Sequence, residues 1–235
     1  MSPGPEGDDR APDGRRLRWT AHRAQRRAAF VAAGAIAIDT HGPDASAEQI
    51  ADVAGVSRTV LYRYFRDRED LRQAIADQAV ATVVASVLPH LTLTAESTPR
   101  QVITSVIEVI VGWLDRHPNL YYFLRDRRSG SALEAVENTL ADQVAALLKM
   151  LMMFFGIDAE RAEPGAYGMV GFVESSGSWW LARRTMSREK LTEIVCEGVW
   201  YLLEGTARAN NVVVSYDAPL PLEALGQQRT DQEDE

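Results

Sequence analysis

The chain has 235 residues, 46% of them hydrophobic, with 25 basic and 33 acidic side chains and a net charge of −8, the balance of a globular protein long enough to bury a sizeable core. Its single cysteine, Cys196, rules out an internal disulfide and a Cys-based zinc cluster and points to a reducing compartment. The longest strongly apolar run, Val144–Phe155, contains Lys149 and falls short of the roughly 18 residues a membrane span needs.

Charge is uneven. Residues 10–72 hold 12 Arg against 8 acids, whereas residues 73–235 hold 13 basic against 22 acidic side chains. A basic N-terminal module on an acidic body fits a phosphate-binding head attached to a domain with another task. Met1–Arg27 is polar and charged and lacks the apolar core of a secretory signal, so a cytoplasmic location is expected.

Residues 1–18 are rich in Pro, Gly and Arg and are expected to form a disordered basic arm. A first helix follows from the spacing of Phe30, Ala33, Ile36 and Ala37, ending near Gly42 in a left-handed cap. Ser46 and Gln49 have the spacing of a capping box opening a short helix through Ala54. Gly55-Val56-Ser57 then reads as a turn, with Ser57 capping a helix from Arg58 to about Arg66. Two short helices joined by a three-residue turn containing Gly form a helix-turn-helix pattern. Ile50, Val53, Val56, Leu61 and Phe65 are its expected core. At 3.6 residues per turn, Arg58, Thr59, Tyr62, Arg63 and Arg66 share one basic, aromatic face, while Tyr64 falls at the buried edge. Such a face suits a major groove, with base edges read near the helix start and phosphate held at its flanks.

Long helices are predicted from Glu69 to Leu88, Pro99 to Arg116, Ser131 to Phe155, Pro164 to Arg184 and Ser187 to Asn210, with a short one over 119–126. No stretch sustains the period-two alternation of a sheet. The organisation expected is therefore all-α: arm 1–18, helix-turn-helix head 19–66, helical domain 67–210 and flexible tail 211–235.

The run from Ser46 to Leu71, SAEQIADVAGVSRTVLYRYFRDREDL, resembles the DNA-binding signature of the tetracycline-repressor (TetR) family of transcriptional regulators, and the likeness extends over about residues 20–75. It implies about nine helices: three for the head, a fourth linking it to the ligand domain, and the last two building a dimer. Ser57 would cap the recognition helix. Arg58, Thr59 and Arg63 would face bases, Tyr62 and Tyr64 the DNA backbone, and Ser46 would lie at the phosphate-facing start of the preceding helix. Arg68 stands where the family usually has Lys, so the phosphate contact keeps its charge but changes its donor geometry.

Gly168, Gly171, Ser175 and Ser178 form a stripe of small residues on the penultimate helix. With Val195, Val199, Leu202 and Leu203 on the last helix they make the expected dimer interface. Aromatic and Met residues of the middle helices suit a lipophilic pocket, with Trp113, Met150, Phe154, Phe172 and Trp179 as candidate lining and Glu174 to orient a polar or cationic group. The function expected is a repressor that binds a palindromic operator as a homodimer and is released by a hydrophobic effector, without cofactor or metal. The alternative is a helical lipid- or drug-binding carrier without DNA function. An enzyme is disfavoured: the four His are scattered, and no phosphate loop, nucleophile elbow or HExxH pair is present.

Overall fold

The computed structural model describes residues 14–94, 96–126 and 131–220, with side chains from Trp19 onward. Within these the chain forms nine α-helices and no strand: α1 Gly14–His41, α2 Ala47–Val53, α3 Arg58–Leu61, α4 Arg68–Val87, α5 Pro99–Arg116, α6 Pro118–Arg125, α7 Ala132–Phe154, α8 Ala162–Arg183 and α9 Arg188–Ala209. Two compact units result, residues 1–75 and 76–235, and α4 is one unbroken helix shared by both. The division thus falls inside α4 rather than at 66/67, because Leu71 and Ile75, each 1% exposed, are buried in the first unit.

In that unit α1 opens at Gly14, inside the segment expected to be disordered. The arm as far as residue 13 lies outside the described residues, but Arg23, Arg26 and Arg27 are helical and lie on α1. Gly42 closes the helix at φ +98, its N–H donating to the Ile38 carbonyl at 2.8 Å. The capping box of α2 is complete: the Ser46 hydroxyl accepts from Gln49 N at 3.2 Å and Gln49 Oε1 accepts from Ser46 N at 2.7 Å. Gly55, at φ +65, ends α2. Its N–H bonds the Asp52 carbonyl and that of Val56 bonds Ala51, the paired closure that a left-handed residue permits.

Phe30, Ile38, Ile50, Ala51, Leu61 and Phe65 fill the core of this unit. Val53, expected there, is 38% exposed, because the turn at Gly55 leaves the end of α2 on the surface. At the start of α4 the Asp67 carboxylate accepts from Asp70 N at 2.8 Å. Asp70 in turn accepts from Arg66 N at 2.9 Å and pairs with Arg27 at 3.2 Å. The Arg66 N–H first, then the Arg27 guanidinium, hold the Asp70 carboxyl below its ordinary value of 3.8. A carboxyl depressed by folding stabilises above its unfolded value and loses that contribution as pH falls through the folded one. Asp70→Asn should therefore lower thermal stability at neutral pH, and its deficit against the parent should shrink as melts are repeated below pH 3.8.

The second unit is a helical bundle. Thr98 caps α5 with a capping box of its own, its hydroxyl accepting from Gln101 N at 3.2 Å. α6 follows His117 directly, and Pro118 occupies a position where its missing N–H costs nothing. Gly156 ends α7 at φ +67. Ser187 caps α9 by accepting from Lys190 N at 3.2 Å. The core holds Ile107, Val111, Tyr121, Trp180, Val195 and Trp200.

By length and hydropathy Arg68–Leu91 is the one described segment apolar enough to cross a membrane. Its Leu71, Ile75, Ala79, Val83 and Val87 are buried in the protein at helical spacing, and 33% of its most apolar window is buried there. Beyond α9 the chain departs from the expected flexible tail: Val212, Val214 and Tyr216 pack against the core of the second unit. Residues 221–235 lie outside the described residues.

Candidate nucleic-acid interface and ligand chamber

The second helix of the helix-turn-helix is shorter than its sequence suggests. Only Arg58–Leu61 is α-helical. Arg63 N then bonds the Val60 carbonyl and Tyr64 N bonds Leu61, three-residue steps that tighten the winding. Ser57 has the extended backbone of a cap, but its hydroxyl accepts nothing, because the Val60 N–H it would serve bonds the Ser57 carbonyl at 2.9 Å.

Arg58, Thr59, Arg63 and Arg66 are exposed, with Leu61 and Phe65 buried behind them, so the basic face survives the tightening. The Arg58 guanidinium lies over the Tyr62 ring at 5.5 Å and pairs with Glu48 at 2.6 Å. Tyr64 goes the other way: its half-buried ring packs edge-on against Phe30 at 5.0 Å, which leaves less of it for a backbone contact than the resemblance implies. Arg23 braces this corner, donating to the Arg63 carbonyl at 3.4 Å. Arg68 stands exposed at the first turn of α4, and Ser46 has its hydroxyl engaged in the cap of α2.

In the second unit a cavity of about 280 Å³ runs beside α5. Pro99, Val102, Ile103, Val106, Ile107, Ile110, Trp113 and Leu114 line it, a span of about 22 Å at 1.5 Å per residue. Its other walls come from the end of α4 and Leu91 and Leu93 after it, from Tyr121 of α6, and from α7, α8, α9 and the segment beyond α9. Of the expected lining, Trp113 and Glu174 are there. Met150, Phe154, Phe172 and Trp179 are not among the lining residues. α7 is apolar all round near its end, and it presents Leu148, Leu151 and Met152 to the cavity, which leaves Met150 43% exposed and Phe154 against Phe155. Phe172 faces α9, its ring where a Cβ on Gly198 would stand, and Trp179 is 38% exposed beside Arg183.

The chamber is apolar except toward the Leu114 end. Glu137 and Glu174 are the only charged groups on its lining among the described residues. Tyr121 donates to Glu174 at 2.7 Å and accepts from Arg125 at 3.2 Å. Burial, then the hydrogen bond to Glu174, push Tyr121 up to about 12. Glu137 is raised by burial and then by the charges of Glu174 and Glu134, against an opposing pull from Arg125. The α5 stripe at i, i+3, i+4, i+7 was the sequence signal that could have located this chamber.

The surface of α8 and α9 is only partly as expected. Gly168, Gly171 and Ser175 are exposed, but Ser178 is held by Arg125 of α6. Val195 and Val199, assigned to the outer face, are 1% and 8% exposed and belong to the core. Leu203, also assigned there, packs against the core and lines the cavity, whereas Leu202 is 50% exposed as expected and is joined outside by Ile194 and Tyr201, at 41% and 62%. Elsewhere, burial pushes the Cys196 thiol up, away from a reactive thiolate, and no described group of His, Cys, Asp or Glu could hold a metal ion.

The family description "Bacterial regulatory proteins, tetR family" matches residues 30–75, and "Tetracyclin repressor-like, C-terminal domain" matches residues 89–213. The chain is 32% identical over 202 residues to Rv0472c, an uncharacterised HTH-type transcriptional regulator of Mycobacterium tuberculosis, covering 84% of this chain and 85% of the relative. A TetR-family transcriptional regulator from Streptomyces coelicolor superposes with a TM-score of 0.62 at 18% identity, over 79% of this chain and 83% of that one. The regulator FadR from Bacillus subtilis, in complex with stearoyl-CoA, superposes at 0.55 with 18% identity, over 75% of this chain and 97% of that one. This chain belongs to the TetR family of bacterial transcriptional regulators.

Proposed function

We propose that the chain is a cytoplasmic repressor that binds a palindromic operator as a homodimer and releases it when a lipophilic effector fills the chamber. The exposed basic face of Arg58, Thr59 and Arg63, with half-buried Tyr62 beside it, on a braced helix-turn-helix carries this reading. Phosphate contacts from Ser46, Arg68 and the Tyr64 hydroxyl would fix the head on the duplex, while Arg58, Thr59 and Arg63 read bases. The pairing of Arg58 with Glu48 holds its guanidinium in place until a base edge competes for it.

A head of this size needs a second copy for useful specificity, and twofold symmetry implies an inverted-repeat site. Ile194, Tyr201 and Leu202 on α9 and Trp179 on α8, beside the open stripe of Gly168, Gly171 and Ser175, supply an apolar face on which two small-residue surfaces approach closely. The chamber, lined along the whole length of α5, suits a straight lipophilic body, and the stearoyl-CoA held by FadR is a ligand of that shape. Glu137 and Glu174 favour a head group that donates hydrogen bonds over a bare carboxylate at their end. α4, shared by both units, is the route by which occupancy would shift the spacing of paired heads. Differential affinity for the two states limits the release to about 5- to 150-fold.

The test is selection of bound duplexes from a random pool with the full chain. The expected product is an inverted repeat whose complex dissociates on titration with lipophilic compounds. An absence of enriched sequence would leave the carrier reading in its place.

A further inference from the structure

We propose that residues 212–220 form the end wall of the ligand chamber and set the length of effector it admits, a proposal that rests on the chamber being the effector site. The chain leaves α9 through Asn211, at φ +61, where Asn211 N bonds the Arg208 carbonyl and Val212 N bonds Ala207. This closure turns the following residues back over the bundle. Along them the burial of the side chains alternates: Val212, Val214 and Tyr216 are half-buried, while Val213, Ser215 and Asp217 are exposed. Val214 and Leu220 are part of the chamber lining.

The strap is fastened where α5 begins. Arg100 N donates to the Tyr216 carbonyl at 3.0 Å. The Arg100 side chain pairs with Asp217 and lies over the Tyr216 ring at 4.1 Å. The other face of that layer is Trp200, stacked on Tyr216 at 4.6 Å with 21° between the planes, and Trp200 itself lines the chamber. An exposed ion pair alone holds little. Here it is joined by a cation over a ring, a ring on a ring, a backbone hydrogen bond and apolar side chains facing inward. The fastening lies at the Pro99 end of α5, and Glu137 and Glu174 lie toward the Leu114 end. A straight ligand with its head at the acidic end therefore points its tail at the strap, and a ligand too long for the chamber must displace it.

Binding of straight-chain primary alcohols, one methylene apart, to the full chain tests this by calorimetry and stopped-flow Trp fluorescence. Affinity of the parent should rise about fourfold per methylene up to a limiting length and then stop rising. Tyr216→Ala and Asp217→Asn should move that limit to longer alcohols and speed dissociation of those already bound by about tenfold, with helical content retained. Tyr216→Phe, which keeps the ring between Arg100 and Trp200, should keep the parent's limit. An unchanged limit and dissociation rate in both Tyr216→Ala and Asp217→Asn, with short alcohols still bound, would overturn the strap alone. If the parent binds no alcohol of any length, the effector chamber and the strap's role fall together.

Discussion

Replacing Tyr62 and Arg63 together by Ala is expected to weaken operator binding by two to three orders of magnitude while leaving the dimer and the fold intact. The size follows from the chemistry of the face. A well-aligned base contact discriminates by about 1–3 kcal/mol, and a lost phosphate contact also lowers the salt dependence by about one unit of slope. The fold should tolerate the change. Arg63 is exposed, and what it gives to the interior is its carbonyl, which receives Arg23. Tyr62 is half-buried, with the Arg58 guanidinium over its ring as its ring partner. Substitutions away from the core usually move stability by about half a kcal/mol. Gel shifts across a salt series, with sedimentation and melting as controls, read all three quantities. Unchanged DNA affinity would falsify the assignment of the recognition face.

Leu202→Arg should have an effect of similar size at a distance from DNA. Leu202 is 50% exposed in the single chain, so an arginine there costs the subunit little. Across a twofold axis the same change brings two unpaired cations into an apolar contact and is expected to split the dimer. Operator affinity should then collapse to that of one head on one half-site, although Arg58, Thr59 and Arg63 are untouched. Val195→Arg serves as the contrast. At 1% exposure, with its side chain in the core, it should unfold the bundle and lower the melting temperature sharply. A Leu202→Arg protein that sediments as the parent does and binds the operator as tightly would place the interface elsewhere.

How far the sequence reached depended on how local the determinant was. The cap of α2 rests on Ser46 and Gln49, three residues apart. The turns at Gly42, Gly55 and Gly156 rest on single residues that tolerate positive φ. Such features are decided within one helical turn, so the order and approximate bounds of the helices, and the helix-turn-helix with its basic face, were legible. Even there the α-helix stops at Leu61, short of the expected Arg66, because the backbone switches to three-residue steps that no side-chain pattern announces.

The ligand chamber and the outer face of α9 were set by partners distant in sequence. The apolar run that ends α7 offers hydrophobic side chains in every direction. Only the position of α8 and α5 selects Leu148 and Met152 for the interior and leaves Met150 in solvent. Val195 and Ile194 are neighbours of nearly equal hydrophobicity, and packing alone sends one into the core and the other to the surface. Tyr216 needs Arg100 and Trp200 to be held at all, and the short alternation Val212, Val214, Tyr216 has no sheet to advertise it. Sequence determined where the chain turns and which end of it carries the positive charge, since those are properties of residues within a few bonds of one another. Tertiary structure decided which apolar surfaces meet, since burial is non-directional and close packing chooses among candidates that composition leaves equal.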